Sequence, residues 1–138
     1  MKIGSEAKGQ LTVGNKDHRI TKIGFSLRQM KLDEIPQIIN VLLGEMSLVG
    51  PRPEVPKYVK LYSKEQRKVL EVKPGITDLA SIEFSNENEL LSKQKNPEEY
   101  YITHIMPMKI ELNLAYIQNP STLFYIQILL KTAKKVFF

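Results

Sequence analysis

Apolar residues recur at Ile35, Ile38, Ile39, Leu42 and Leu43, spaced i, i+3, i+4, i+7 and i+8. That is one stripe of a helix with about 3.6 residues per turn. Pro36 falls in its first turn, where a missing N–H does no harm, and Gly44 is placed to end it. Asp33, Gln37 and Asn40 share its polar side. Ahead of it, Ile20, Ile23 and Phe25 lead into a short helix over Phe25–Met30. Residues 1–18 hold Gly4, Gly9 and Gly14 among polar residues and read as loop, with a short strand possible at Gln10–Val13.

After Gly44 the pattern changes. Met46–Val49 reads as a strand and Ile76–Phe84 as a second one. Pro56 opens a short helix through Tyr62, and Ser63 caps another over Lys64–Val72. Asn86–Lys95 is polar and partly helical, with Leu90 and Leu91 turned inward. Asn96 and Pro97 begin a long helical pattern that Pro107 should kink or break. It resumes with Ile110, Leu114 and Ile117 on one side. Asn119-Pro120-Ser121 precedes a last helix, Thr122–Phe138. Leu123, Ile126, Leu130, Ala133 and Phe137 form its apolar face, with Lys131, Lys134 and Lys135 on another. Such a helix suits a membrane surface, and equally a core with a solvated basic end. The fold class expected is α+β: a predominantly helical single domain, 1–138, with a small β-sheet and a C-terminal amphipathic helix.

Composition narrows the chemistry. The 138 residues include no cysteine, which removes disulfides, cysteine nucleophiles, zinc ribbons and iron–sulfur sites. Two histidines, His18 and His104, lie far apart, so a histidine-rich metal site is not expected. No apolar run approaches the roughly 18 residues of a membrane-spanning helix, and the first ten residues carry no apolar signal core. The net charge of +5 suits an anionic partner: nucleic acid, a membrane surface or a phosphorylated substrate. Nucleic acid is disfavoured, because tryptophan is absent and aromatic and basic residues do not interleave. Walker, G-x-G-x-x-G, H-E-x-x-H and G-x-S-x-G patterns are all missing.

Three features remain. Asp33-Glu34 at a helix start puts two carboxylates where the helix dipole favours their ionised forms. An ionised aspartate can attack phosphorus, and its neighbour can hold a divalent cation. An acidic first turn also does no more than complement the dipole in many helices. Arg28 stands just ahead of the pair and offers a fork for phosphate oxygens, or a solvated surface charge. Gly50-Pro51-Arg52-Pro53 sets one arginine between two prolines, which restrict the backbone on both sides of it.

Together these residues carry a family resemblance. Arg28–Gln37, Asn40–Leu42, Gly44–Pro53, Lys73–Thr77, and Asp17 with Arg19–Thr21 stand in the order and spacing of the bacterial sugar transferases. The likeness runs from about residue 17 to 135. The chain resembles the small monotopic phosphoglycosyl transferases that begin glycan assembly on polyprenol phosphate. The resemblance implies transfer of a sugar-1-phosphate from a UDP-sugar to undecaprenyl phosphate, with Mg2+ and release of UMP, at the cytoplasmic face of the bacterial inner membrane. It implies that Asp33 is the nucleophile and forms a covalent phosphosugar intermediate. Glu34 would serve the metal and substrate phosphates, Arg28 a phosphate, and Arg52 the nucleotide sugar.

The chain departs from the family in two places. Members carry a membrane-inserted helix ahead of this region, then a short basic segment whose closing methionine matches Met1. Residues 1–138 are therefore expected to be the soluble part of a longer protein, poor at turnover alone. Many members carry Gly-Trp after the Ile-Thr pair, where this chain has Asp78-Leu79. A catalytically dead scaffold of a glycan assembly complex is the other class considered, and the intact Asp33, Glu34, Arg28 and Arg52 argue against it.

Overall fold

The computed structural model describes residues 21–29 and 35–137 and, within these, every side chain except those of 25, 27–29, 136 and 137. The strand considered at Gln10–Val13 lies outside the described residues. Helix α1 spans Lys22–Gln29, beginning at Lys22 rather than Phe25. Thr21 Oγ1 accepts the Gly24 N–H at 3.1 Å, a cap that hydrophobic periodicity does not reveal.

Helix α2 spans Gln37–Leu42, with Pro36 as its N-cap rather than inside its first turn. The acidic pair at 33 and 34 thus precedes this helix in the chain. Gly44 adopts φ +78 after the helix end, and the N–H groups of Leu43 and Gly44 turn back to the carbonyls of Ile39 and Val41. The apolar stripe is present but not buried among the described residues: Leu42 is 82% exposed, and Ile35, Ile38, Ile39 and Leu43 are exposed as well. Asn40 folds back instead, its carbonyl accepting the N–H groups of Glu45 and Met46 at 2.9 and 3.1 Å.

Strands β1 (Ser47–Val49) and β2 (Gly75–Thr77) pair in parallel, with Ser47 opposite Gly75 and Val49 opposite Thr77. The second strand is shorter than Ile76–Phe84. Asp78 ends it by capping helix α4, Leu79–Glu83, where Asp78 Oδ1 accepts the Ser81 N–H at 2.5 Å. The cap overrides the β character of Ile82 and Phe84. The strands meet through two glycines: a Cβ on Gly75 would lie 2.1 Å from Gly50 N. Only glycine permits that approach, and it brings the residues after Gly50 against the end of β2.

The core lies on the other side of α4. Helix α3 (Pro56–Val59) contributes Tyr58, and Tyr62 follows it. The helix expected over Lys64–Val72 is a short 3-10 segment, Gln66–Leu70, that contributes Val69. Ser63 does cap it: Ser63 Oγ accepts the Gln66 N–H at 3.2 Å, and Gln66 Oε1 accepts the Ser63 N–H at 2.9 Å. Helix α5 (Glu87–Ser92) buries Leu91 completely and Leu90 in part. Helix α6 (Pro97–Tyr100), capped by Asn96, runs on into a π turn, Tyr101–Ile105, and then α7, Met106–Gln118. Pro107 therefore does not break the helix. The wide turn ahead of it rearranges the carbonyl ladder where the proline ring would clash and its missing N–H would leave a gap. Tyr101, Ile105, Met106 and Ile110 enter the core, with the rings of Tyr58 and Tyr101 5.0 Å apart and tilted by 50°.

Helix α8 (Thr122–Phe137) packs on β1, β2 and α4. Its buried side carries Ile128 and the half-buried Thr132. The face of Leu123, Ile126 and Leu130 points outward, with Leu123 67% exposed. The helix thus has apolar residues on two sides. The architecture is a mostly helical α+β fold with a two-stranded parallel sheet among the described residues.

Candidate functional site

Arg52 stands at the centre of the site. Gly50 and Pro51 are buried and the arginine side chain is exposed. The Arg52 N–H donates to Asp78 Oδ2 at 3.1 Å. Asp78 is only 3% exposed and spends its carboxylate on three donors: Arg52 N–H, Ser81 N–H and the Asn113 side-chain amide at 3.2 Å. Burial of a carboxylate is costly unless such donors replace water. Asn113 comes from α7, so one side chain ties the arginine segment to α4 and α7.

The same segment is held again at Glu54. Lys109 Nζ lies 3.3 Å from Glu54 Oε1 and 3.1 Å from Glu87 Oε2, and the Tyr101 hydroxyl donates to Glu54. Lys109 also sits 5.4 Å from the centre of the Tyr101 ring. Burial works against the Lys109 charge, but Glu54 and Glu87 outweigh it and raise its pKa. Burial, then the Glu54 charge, pushes the Tyr101 hydroxyl far up, so it stays protonated and donates.

Beside Arg52 opens a cavity of about 510 Å³. Its walls are apolar: Ile35 and Ile38 at α2, Leu48 of β1, Ile76 of β2, Ile82 of α4 and Leu129 of α8. Arg52 and Lys135 are its cationic lining residues among those described. Lys135 Nζ donates to the Ile82 carbonyl at 2.6 Å. Thr132 donates its hydroxyl to the Ile128 carbonyl at 2.9 Å, so Thr77, 2.8 Å away, donates to Thr132. These bonds pin α8 across the ends of β2 and α4. The result is an apolar slot with positive charge in its wall, a shape suited to an amphiphile with an anionic head.

Of the four residues singled out from sequence, Arg52 lines this cavity. Arg28 falls on α1, but its side chain lies outside the described residues, and so do Asp33 and Glu34. Among the described residues no three His, Cys, Asp or Glu side chains gather as a metal site. Asp78, Asn113 and the Glu54–Lys109–Glu87 group are missed by sequence reasoning. For Asp78 a signal exists: an aspartate directly ahead of apolar Leu79 and Ala80, at the break of a strand pattern, is an N-cap signature.

The chain matches the family described as bacterial sugar transferase over residues 1–138, and it belongs to that family. It is 40% identical to an uncharacterized sugar transferase, EpsL, of Bacillus subtilis over 118 residues, covering 86% of this chain and 50% of EpsL. It is 36% identical to the UDP-glucose:undecaprenyl-phosphate glucose-1-phosphate transferase of Escherichia coli, covering 99% of this chain and 28% of that enzyme. The enzyme of the same name from Klebsiella pneumoniae is 44% identical over 105 residues, covering 73% of this chain and 23% of that enzyme. The chain thus spans half or less of the length of these relatives.

Proposed function

We propose that the protein is a phosphoglycosyl transferase that moves a sugar-1-phosphate from a UDP-sugar to undecaprenyl phosphate. The observation that carries this reading is the apolar cavity with Arg52 in its wall, in a chain of this family. An undecaprenyl phosphate is an amphiphile of the kind such a cavity suits. Relatives named for that acceptor support the reading.

Asp33 is the nucleophile in this proposal. A carboxylate oxygen of Asp33 bonds to the phosphorus that bears the sugar, and the bond from that phosphorus to the UMP oxygen breaks. The electron pair leaves with UMP. A phosphate oxygen of undecaprenyl phosphate then bonds to the same phosphorus, and the Asp33 carboxylate departs. Two anions meet in each step, so phosphate charge must be neutralised; Arg28 and Arg52 supply fixed positive charge for this. Ile35 lines the cavity, and Glu34 is the next residue back along the chain. Asp33 and Glu34 are hard oxygen donors of the kind Mg2+ prefers, and Glu34 would hold that ion against the substrate phosphates, where it would shield their charge. The exposed apolar residues of α2 and α8, with Lys131, Lys134 and Lys135, would rest on the membrane surface at its cytoplasmic face.

The test uses the full-length protein in membranes, a panel of UDP-sugars and undecaprenyl phosphate. At least one UDP-sugar should yield UMP together with a sugar-diphospho-undecaprenol. Absence of UMP from every donor overturns the reading. In the same assay Arg52→Ala should lower kcat/KM for the UDP-sugar by about 10- to 150-fold, from a lost charge-assisted phosphate bond of roughly 1.5–3 kcal/mol. Its melting temperature should change less than its kcat/KM, because the N–H that Asp78 accepts belongs to the backbone and survives. Normal turnover with a much lower melting temperature would make Arg52 a structural residue.

A further inference from the structure

Arg52 presents its guanidinium from a residue fixed on two sides. Pro53 confines its ψ to extended values by steric contact. On the other side the Pro51–Arg52 peptide is oriented by the bond from Arg52 N–H to Asp78 Oδ2, 3.1 Å. Pro51 cannot offer an N–H for this purpose, so the only backbone donor between the two prolines is the one that Asp78 takes.

Capping alone does not account for Asp78. A serine or asparagine would cap α4 about as well, without burying a carboxylate. A carboxylate adds a second acceptor oxygen, and here that oxygen holds Arg52 N–H and the Asn113 amide together. Asn113 is itself 6% exposed, and its Oδ1 has no hydrogen-bond partner among the described residues. A buried amide with one half unsatisfied costs stability, so Asn113 is a poor choice for packing alone. Among the described residues, its side chain bonds to the oxygen that holds Arg52.

We propose that Asp78, steadied by Asn113, is a positioning residue for Arg52: it sets the angle from which the guanidinium enters the cavity, and through it the KM for the nucleotide sugar. This rests on the reading of Arg52 as a substrate residue. Asp78 touches no substrate in this scheme and acts through the arginine alone.

Asp78→Asn tests it. The amide keeps one acceptor, and Asn113 can rotate to give its idle Oδ1 to the new NH2 group. What is lost is one of the two backbone bonds, to Ser81 or to Arg52. Full-length protein should show KM for the UDP-sugar raised about tenfold with kcat changed less than about threefold, consistent with the loss of one hydrogen bond. The decisive measurement is the cycle with Arg52→Ala. With no guanidinium left to aim, Asp78→Asn should add less than about twofold in kcat/KM to the Arg52→Ala loss. A merely structural role would lower activity by the same factor in both backgrounds, and that result overturns the proposal. Full activity of Asp78→Asn beside an impaired Arg52→Ala overturns it too while leaving the role of Arg52 intact. An Arg52→Ala protein as active as the wild type removes the reading of Arg52 and the proposal with it. Should Asp78→Asn fail to fold, Asn113→Ala carries the same cycle, with an expected KM rise of about threefold that vanishes in the Arg52→Ala background.

Discussion

Asp33→Asn in the full-length transferase is expected to lose at least about a thousandfold in transfer rate with an unchanged melting temperature. The amide keeps the size of the carboxylate and its capacity to accept a hydrogen bond, but it is no anionic nucleophile toward phosphorus. Glu34→Gln should also be crippled, through its weaker grip on a cation, and excess Mg2+ should restore part of its activity. Excess Mg2+ should restore none of the activity of Asp33→Asn. The clearest readout is covalent. Wild-type enzyme given a UDP-sugar without acceptor should release UMP and retain a phosphosugar on the peptide containing Asp33, detectable by mass spectrometry. An adduct on Glu34, or substantial transfer by Asp33→Asn, would overturn the assignment.

Lys109→Met should produce the largest loss of stability. Lys109 bridges Glu54 and Glu87, and all three side chains are less than a quarter exposed. Removing the cation leaves two carboxylates facing each other away from bulk water, a loss of about 3 kcal/mol. The effect should depend on pH in a stated direction. In the variant the two carboxylates repel each other without the cation between them, and acid relieves that repulsion, so stability is regained as pH falls. The gap in melting temperature between variant and wild type should therefore narrow from pH 8 to pH 5. In the wild type, the raised Lys109 pKa contributes stability that is fully present below the ordinary lysine value of 10.5 and is lost only as pH rises through the raised value. A gap that stays constant between pH 5 and 8 would mean that the lysine stem, rather than its charge, holds the cluster.

Local signals proved legible where one residue decides the outcome. Gly44 ends α2, the Ser63–Gln66 reciprocal bonds form, and Asn96 with Pro97 starts α6, each because its hydrogen bond or φ value is satisfied within a few residues. Periodicity found the helices but not always their buried side. On α8 both Ile128 and Leu130 are apolar, and which one meets the sheet depends on where β1, β2 and α4 lie. The stripe of α2 is regular and yet exposed for the same reason. Arg52 was legible as a candidate, and it lines the cavity, because the prolines around it are contiguous in sequence. Its anchors were not, since Asp78, Asn113, Glu54 and Lys109 come together only through the packing of α4, α5 and α7.

The π turn at Tyr101–Ile105 bears on how this chain tolerates changes of length. A π turn closes its hydrogen bonds one residue later than an α turn, so it acts as a helix with one residue too many. Deleting a single residue there would remove the wide turn and set the Pro107 ring against the carbonyl ladder of an ordinary α-helix, a local cost. It would turn α7 by far less than the roughly 100° that a deletion from a plain α-helix causes, because the wide turn already takes up most of the surplus residue. Substitutions within the turn should be absorbed far more readily than any deletion, because side-chain identity is negotiable there and residue count is not.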